Sequence, residues 1–111
     1  MSFSQVQIDE LQKWKKQLEE EKQVLDERVQ NEAEEIERTK VRLRVTEAAS
    51  WVAQQNTTGS TAEVLGDQSK ELYEELRELE QKYERTAKSA RIRTNEIKAL
   101  MSAIESSLNN P

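Results

Sequence analysis

The sequence holds no cysteine and no histidine, and only two glycines and one proline, Pro111. Without cysteine there is neither a disulfide framework nor a thiolate nucleophile, and without histidine the commonest metal ligand and general base is missing. Aromatic residues make up 5% of the chain, too few to anchor a large globular core. No apolar run approaches the ~20 residues of a membrane span. The polar start Met1-Ser2-Phe3-Ser4-Gln5 does not read as a signal peptide, so the cytoplasm is the expected location.

What fills the chain instead is Glu, Gln, Lys, Arg, Ala and Leu. Strong helix formers with almost no breakers favour long helices. With 35% charged and 34% hydrophobic residues, composition alone allows either an ordered coiled coil or a disordered polyampholyte. Periodicity decides between them. Leu11, Leu18 and Leu25 recur every seven residues, and the row continues through Val29, Ile36 and Leu43 at the same spacing. In the second half Leu72, Leu76, Leu79, Tyr83, Thr86, Ala90, Ile97, Leu100 and Ile104 advance by threes, fours and sevens. Each is a heptad seam, one apolar stripe on one side of a helix.

The two seams are out of phase, because Leu43 and Leu76 are 33 residues apart, which is not a multiple of seven. Turn-forming residues crowd the interval at Gln55-Asn56-Thr57-Thr58-Gly59-Ser60-Thr61. Ser4 with Gln7 and Ser60 with Glu63 have the spacing of capping boxes. The expectation is an all-α fold: helix 1 over about 4–55, a loop over about 56–60 and helix 2 over about 61–108, with a second weak point at Gly66-Asp67 (66–67). Asn56-Thr57-Thr58 also matches a glycosylation acceptor, but reads more simply as turn.

Charge tests the folding point. If the chain doubles back near residue 58, residues whose numbers add to 116 share a level. Residues 19–35 carry eight acidic against two basic side chains, and their counterparts 82–98 carry six basic against two acidic. Nearer the turn the signs exchange: Arg38, Lys40, Arg42 and Arg44 face Glu71, Glu74, Glu75, Glu78 and Glu80, with Arg77 opposed. Exposed pairs contribute little each, so such blocks select orientation and register more than they add stability. The match predicts an antiparallel two-helix coiled-coil hairpin. It would also serve two open chains paired antiparallel; the turn residues at the midpoint favour the hairpin.

Catalysis has little to work with. Carboxylates abound, but on an amphipathic helix they are solvated, and no cleft is implied, so the chain is expected not to be an enzyme. No cofactor, metal or small-molecule substrate is expected. The net charge of −5 and the acidic residues opposite Lys82 to Lys98 argue against nucleic acid. A membrane-surface helix would need a basic rim beside an apolar face, which occurs only around Arg38 to Val52.

Two features point to protein partners. Val41, Val45, Ala48 and Val52 share a face roughly opposite the seam of Ile36 and Leu43, and Val24 and Ile92 are smaller off-seam hints. Scattered surface valines are the plainer reading; a face seeking a neighbour is the sharper one. Residues 48–62 hold no charge at all, and Trp51, Val52, Val64 and Leu65 gather in and around them. They are either a cap on the seam or a docking surface. Trp14 should flank the seam near the open end, where Phe3, Val6, Ile8, Met101 and Leu108 also gather. A single narrow seam with polar gaps at Lys15, Lys22, Glu32, Thr39 and Arg93 is a small core, so self-association is expected: a homodimer forming a four-helix bundle through the Val41 to Val52 face. The functional expectation is a structural or interaction protein, an adaptor, spacer or assembly subunit. The alternatives are a chaperone or scaffolding factor for an exported or capsid protein, and a membrane-surface amphipathic protein.

Overall fold

A computed structural model describes residues 3–56 and 59–109, and it is an all-α helical hairpin. Helix α1 runs Gln5–Asn56 and α2 runs Ser60–Asn109, with no strand among the described residues. The expected folding point at residue 58 lies outside the described residues. Helix α1 begins in a complete capping box: the Ser4 N–H donates to Gln7 Oε1 at 2.8 Å, and the Gln7 N–H donates to Ser4 Oγ at 3.3 Å. At α2 the first helical bond runs from the Glu63 N–H to the Gly59 carbonyl at 3.0 Å. Gly59 therefore holds the N-cap position in place of Ser60, and Glu63 lies in the first turn, where the helix dipole favours an acid. Gly66 and Asp67 lie inside α2, which continues through them without a break. One glycine costs a helix about 1 kcal/mol, and a helix held along its length by packing absorbs that.

Contacts divide the chain into two units, one joining the residues up to Val29 with those from Thr86 onward, the other comprising Gln30–Arg85. In the first, Leu18, Ile97 and Ile104 are buried, and Leu11, Leu25, Leu100, Met101 and Leu108 pack against them. Ile97 is fully enclosed. Burying a side chain of this size contributes about 1.5–3 kcal/mol. Seam positions without apolar side chains carry charges that reach across to the other helix. Lys15 Nζ lies 3.2 Å from Glu105. Arg93 grips Glu21 with two nitrogens, Nη2 to Oε1 at 3.0 Å and Nε to Oε2, while its Nη1 holds Glu96 at 2.9 Å.

The second unit is centred on Ile36, Leu43 and Leu76, with Leu72, Leu79 and Tyr83 packed against them. Thr39, a polar gap in the seam, is completely buried; its hydroxyl donates to the Glu35 carbonyl at 2.9 Å, so no polar group is stranded there. Glu32 lies 3.8 Å from Lys82. Residue numbers of cross-helix partners add to 120 and 114 in the first unit (Lys15 with Glu105, Glu21 with Arg93). In the second they add to 114 and 112 (Glu32 with Lys82, Ser50 with Ala62). All bracket the 116 that the charge blocks imply.

Three measurements check these assignments. Val29 and Ala87, both half-buried in the first unit with numbers adding to 116, should crosslink within one chain when changed to cysteine. A product found only between chains would replace the hairpin by an open antiparallel pair. Gly66→Ala should stabilise the chain by about 0.5–1 kcal/mol in urea unfolding, because the glycine is helical and nothing lies within 4 Å of an added Cβ. The Arg93 hydrogen bonds hold the Glu21 carboxyl below its ordinary value of 4.5. A carboxyl with a lowered folded pKa stabilises the fold above its unfolded pKa, and that contribution fades as pH falls through the folded value. The difference in melting temperature between wild type and Glu21→Gln should therefore shrink on acidification below about pH 4.5. A difference independent of pH would deny Glu21 this role.

Candidate interaction surface

The end of the second unit nearest residues 57–58 is built differently from the rest of the seam. Its seam positions are mostly small: Ser50, Ala53 and Ser69 are buried, and Ala62 is half-buried. The Ser50 hydroxyl donates to the Ala62 carbonyl on the opposite helix at 3.4 Å, and that of Ser69 donates to its own helix at Leu65 at 3.1 Å. A side chain as short as serine reaches a neighbouring backbone only when two helices come close. The seam thus closes with serine and alanine, and no aromatic cap is used.

Trp51, one residue after Ser50, is turned about 100° away from the seam. It is 64% exposed on the outside of α1, beside Val52 at 49%, and Val64 on α2 is 55% exposed. Leu65 parts company with these three: it is half-buried and stands seven residues before Leu72 in the row of seam positions. The seam positions Thr46, Ser50 and Ala53 continue the heptad rows of α1, as do Ala62, Leu65 and Ser69 those of α2. A search for large apolar residues passes over them. Counting sevens back from Leu72 and Leu76, and forward from Leu43, finds most of them.

Val41 and Val45 are 55% and 61% exposed, and Ala48 is exposed. With Val52 they make a continuous apolar strip on the side of α1 away from Ile36 and Leu43, as a turn of 100° per residue requires. Its flanking cations are of two kinds. Arg38 is held by Glu34 and Glu35 at 3.9 and 3.1 Å, and Lys40 by Glu37 at 3.5 Å. Arg42 and Arg44 make no ion pair among the described residues. The Glu47 carboxylate beside the Tyr73 phenol raises its pKa above the ordinary phenolic value of 10.0, chiefly by accepting its proton in a hydrogen bond. Tyr73 is thereby engaged within its own chain, and the valine strip is not.

The remaining sequence features are placed as follows. Trp14 is 41% exposed, Val6 is exposed, and Phe3 and Ile8 are half-buried. Val24 and Ile92 are both about half exposed, each alone among polar neighbours. A recess of about 540 Å³ beside the seam of the second unit is lined by Ile36, Lys40, Arg77, Glu80 and Tyr83 among others. It is open, and its charges are of both signs. Among the described residues no cluster of three or more acidic, histidine or cysteine side chains could hold a metal ion, and no helix is long and apolar enough to cross a membrane. What this surface can do chemically is bury apolar area against another protein, with two unpaired arginines and an exposed indole at its margins. No protein-family model matches the chain, and no curated protein or solved structure matches it significantly.

Proposed function

We propose that this chain is a non-enzymatic coiled-coil interaction module, an adaptor, spacer or assembly subunit, that associates with itself through the outer face of α1 and offers its uncharged end to protein partners. The observation that carries the reading is the strip Val41, Val45, Ala48 and Val52, exposed in a unit whose own seam is closed without it. Isolated surface valines are ordinary, but four apolar residues in consecutive turns on one stripe are the pattern of a helix with a second neighbour. Trp51 adds a large rigid side chain of the type that anchors interfaces. Two copies joined in this way make a homodimer of four helices, joined α1 to α1. Soluble residence, in the cytoplasm, suits such a module.

Burial of each valine contributes up to about 1.5 kcal/mol, from which the cost of association is subtracted. Val45→Glu puts a charge into the contact and leaves the intramolecular seam untouched. The variant should sediment at half the wild-type mass at equal concentration, with its helical circular dichroism largely preserved. Wild-type protein that is already monomeric at high micromolar concentration would rule out self-association through this face.

A further inference from the structure

Self-association, as just proposed, leaves open which surface of the second copy meets the strip, and the answer fixes the symmetry of the assembly. We propose that the occupant is the same strip of a second copy, laid antiparallel about a two-fold axis near residues 46 and 47, with Arg44 of each copy stacked on the Trp51 indole of the other.

The outward side of α2 in the same unit is a poor partner. It presents Glu71, Glu74 and Glu78, all exposed, and its one large exposed apolar side chain apart from Tyr73 is Val64. Docking the valines there would bury them among carboxylates, which lose hydration without gaining a counter-charge at each position. A parallel alignment of two strips pairs the valines well but sets Arg38 beside Arg38 and Arg44 beside Arg44, and like charges at one level disfavour that arrangement.

Antiparallel alignment removes the conflict at one register. When facing residue numbers add to 93, Val41 meets Val52 of the second copy and Val45 meets Ala48, so all four apolar positions are covered by apolar positions. At the same register Glu37 faces Asn56, Arg38 faces Gln55 and Arg44 faces Ala49. Every charge from Glu37 to Arg44 then lies against the part of α1 that carries none. The uncharged end of α1 acquires a reason that the seam does not supply, since its outward residues take no part in the seam. Moving the register by one heptad loses this. With sums of 86, Arg42 meets Arg44 and Glu34 meets Val52; with sums of 100, Val45 meets Gln55 and Val41 runs past the end of the opposing helix.

The flanks agree. At 100° per residue Arg44 and Trp51 fall on the same side of the strip, about 20° apart. A two-fold axis normal to the helix pair returns each flank to its own side, so the Arg44 guanidinium of one copy and the Trp51 indole of the other lie within two residues of the same level. Arg44 has no ion pair among the described residues and Trp51 is 64% exposed. Stacking of the cation on the indole face satisfies both. Because the strip lies opposite the seam, the four helices line up as α2, α1, α1 and α2 in a row within this unit. The closed two-fold contact stops at two copies. From Glu37 to Asn56 it runs about 30 Å at 1.5 Å per residue, a short interface against the ~800 Å² per partner of standard complexes, so micromolar association is expected.

The chain has no cysteine, so a single introduced one can carry a spin label cleanly. Labels at Glu47 and, in a separate sample, at Gln30 distinguish the arrangements by pulsed dipolar spectroscopy. The antiparallel dimer gives a short distance for Glu47, and for Gln30 one of about 50 Å, as twice the offset from the axis times 1.5 Å requires. Val45→Glu should abolish both signals. Trp51→Ala and Arg44→Gln should each raise the dimer dissociation constant several-fold without loss of helical dichroism. Short distances at both sites would establish a parallel pair and overturn this register while leaving the self-association reading intact. Mass rising past two copies with concentration would establish a head-to-tail contact and overturn it likewise. A wild-type monomer would remove both proposals.

Discussion

Everything in this fold depends on a strip of contact one heptad pattern wide. Two antiparallel helices without a third layer can exclude water only from the side chains that point between them, and those recur every three or four residues. Leu18, Ile97 and Ile104 in one unit and Ile36, Leu43 and Leu76 in the other supply the apolar part. Because the strip is narrow, what stands in its polar positions matters as much as what stands in its apolar ones. Thr39 is tolerated at full burial only because its hydroxyl returns to the carbonyl four residues earlier.

Charge serves this strip by specifying which residues face each other. Arg93, at a seam position, turns its guanidinium to Glu21 with two hydrogen bonds and to Glu96 with a third, and Lys15 and Lys82 reach Glu105 and Glu32. Such half-exposed pairs are weak as stabilisers. Their value lies in the cost of the alternatives: a slip by one heptad in either direction weakens the match of opposite-signed blocks. Several of the complementary charges, Arg42 and Arg44 among them, form no ion pair among the described residues, so block sign rather than individual bridges carries the specificity.

Where the seam reaches Ser50, Ala53 and Ser69, small side chains take over. Short inward residues let α1 and α2 approach closely, as the Ser50 to Ala62 hydrogen bond shows. Trp51 is turned outward beside Val52. With it the surface at this end becomes a candidate interface, and the absence of charge from 48 to 62 keeps that surface free of the repulsion that would limit what docks there.

Much of this is legible in the order of residues. Leucine spacing, scarcity of breakers and the reversal of charge blocks about residue 58 specify two helices, their antiparallel sense and a register near 116, because helical period and charge sign are local properties that survive any environment. The outward placement of Val41, Val45 and Val52 follows from the same period. Three things were settled only by tertiary packing. Gly66 and Asp67 continue the helix, since contacts along α2 outweigh a local propensity. Gly59 rather than Ser60 caps α2, because the two candidates differ by a small free energy that the local residue pattern does not rank. How deeply the end of the seam is enclosed, with Ser50, Ala53 and Ser69 buried and the larger Leu65 half-buried, is the third: the one-dimensional pattern records which positions face inward, but only the separation of the two backbones says how large a side chain the space between them will hold.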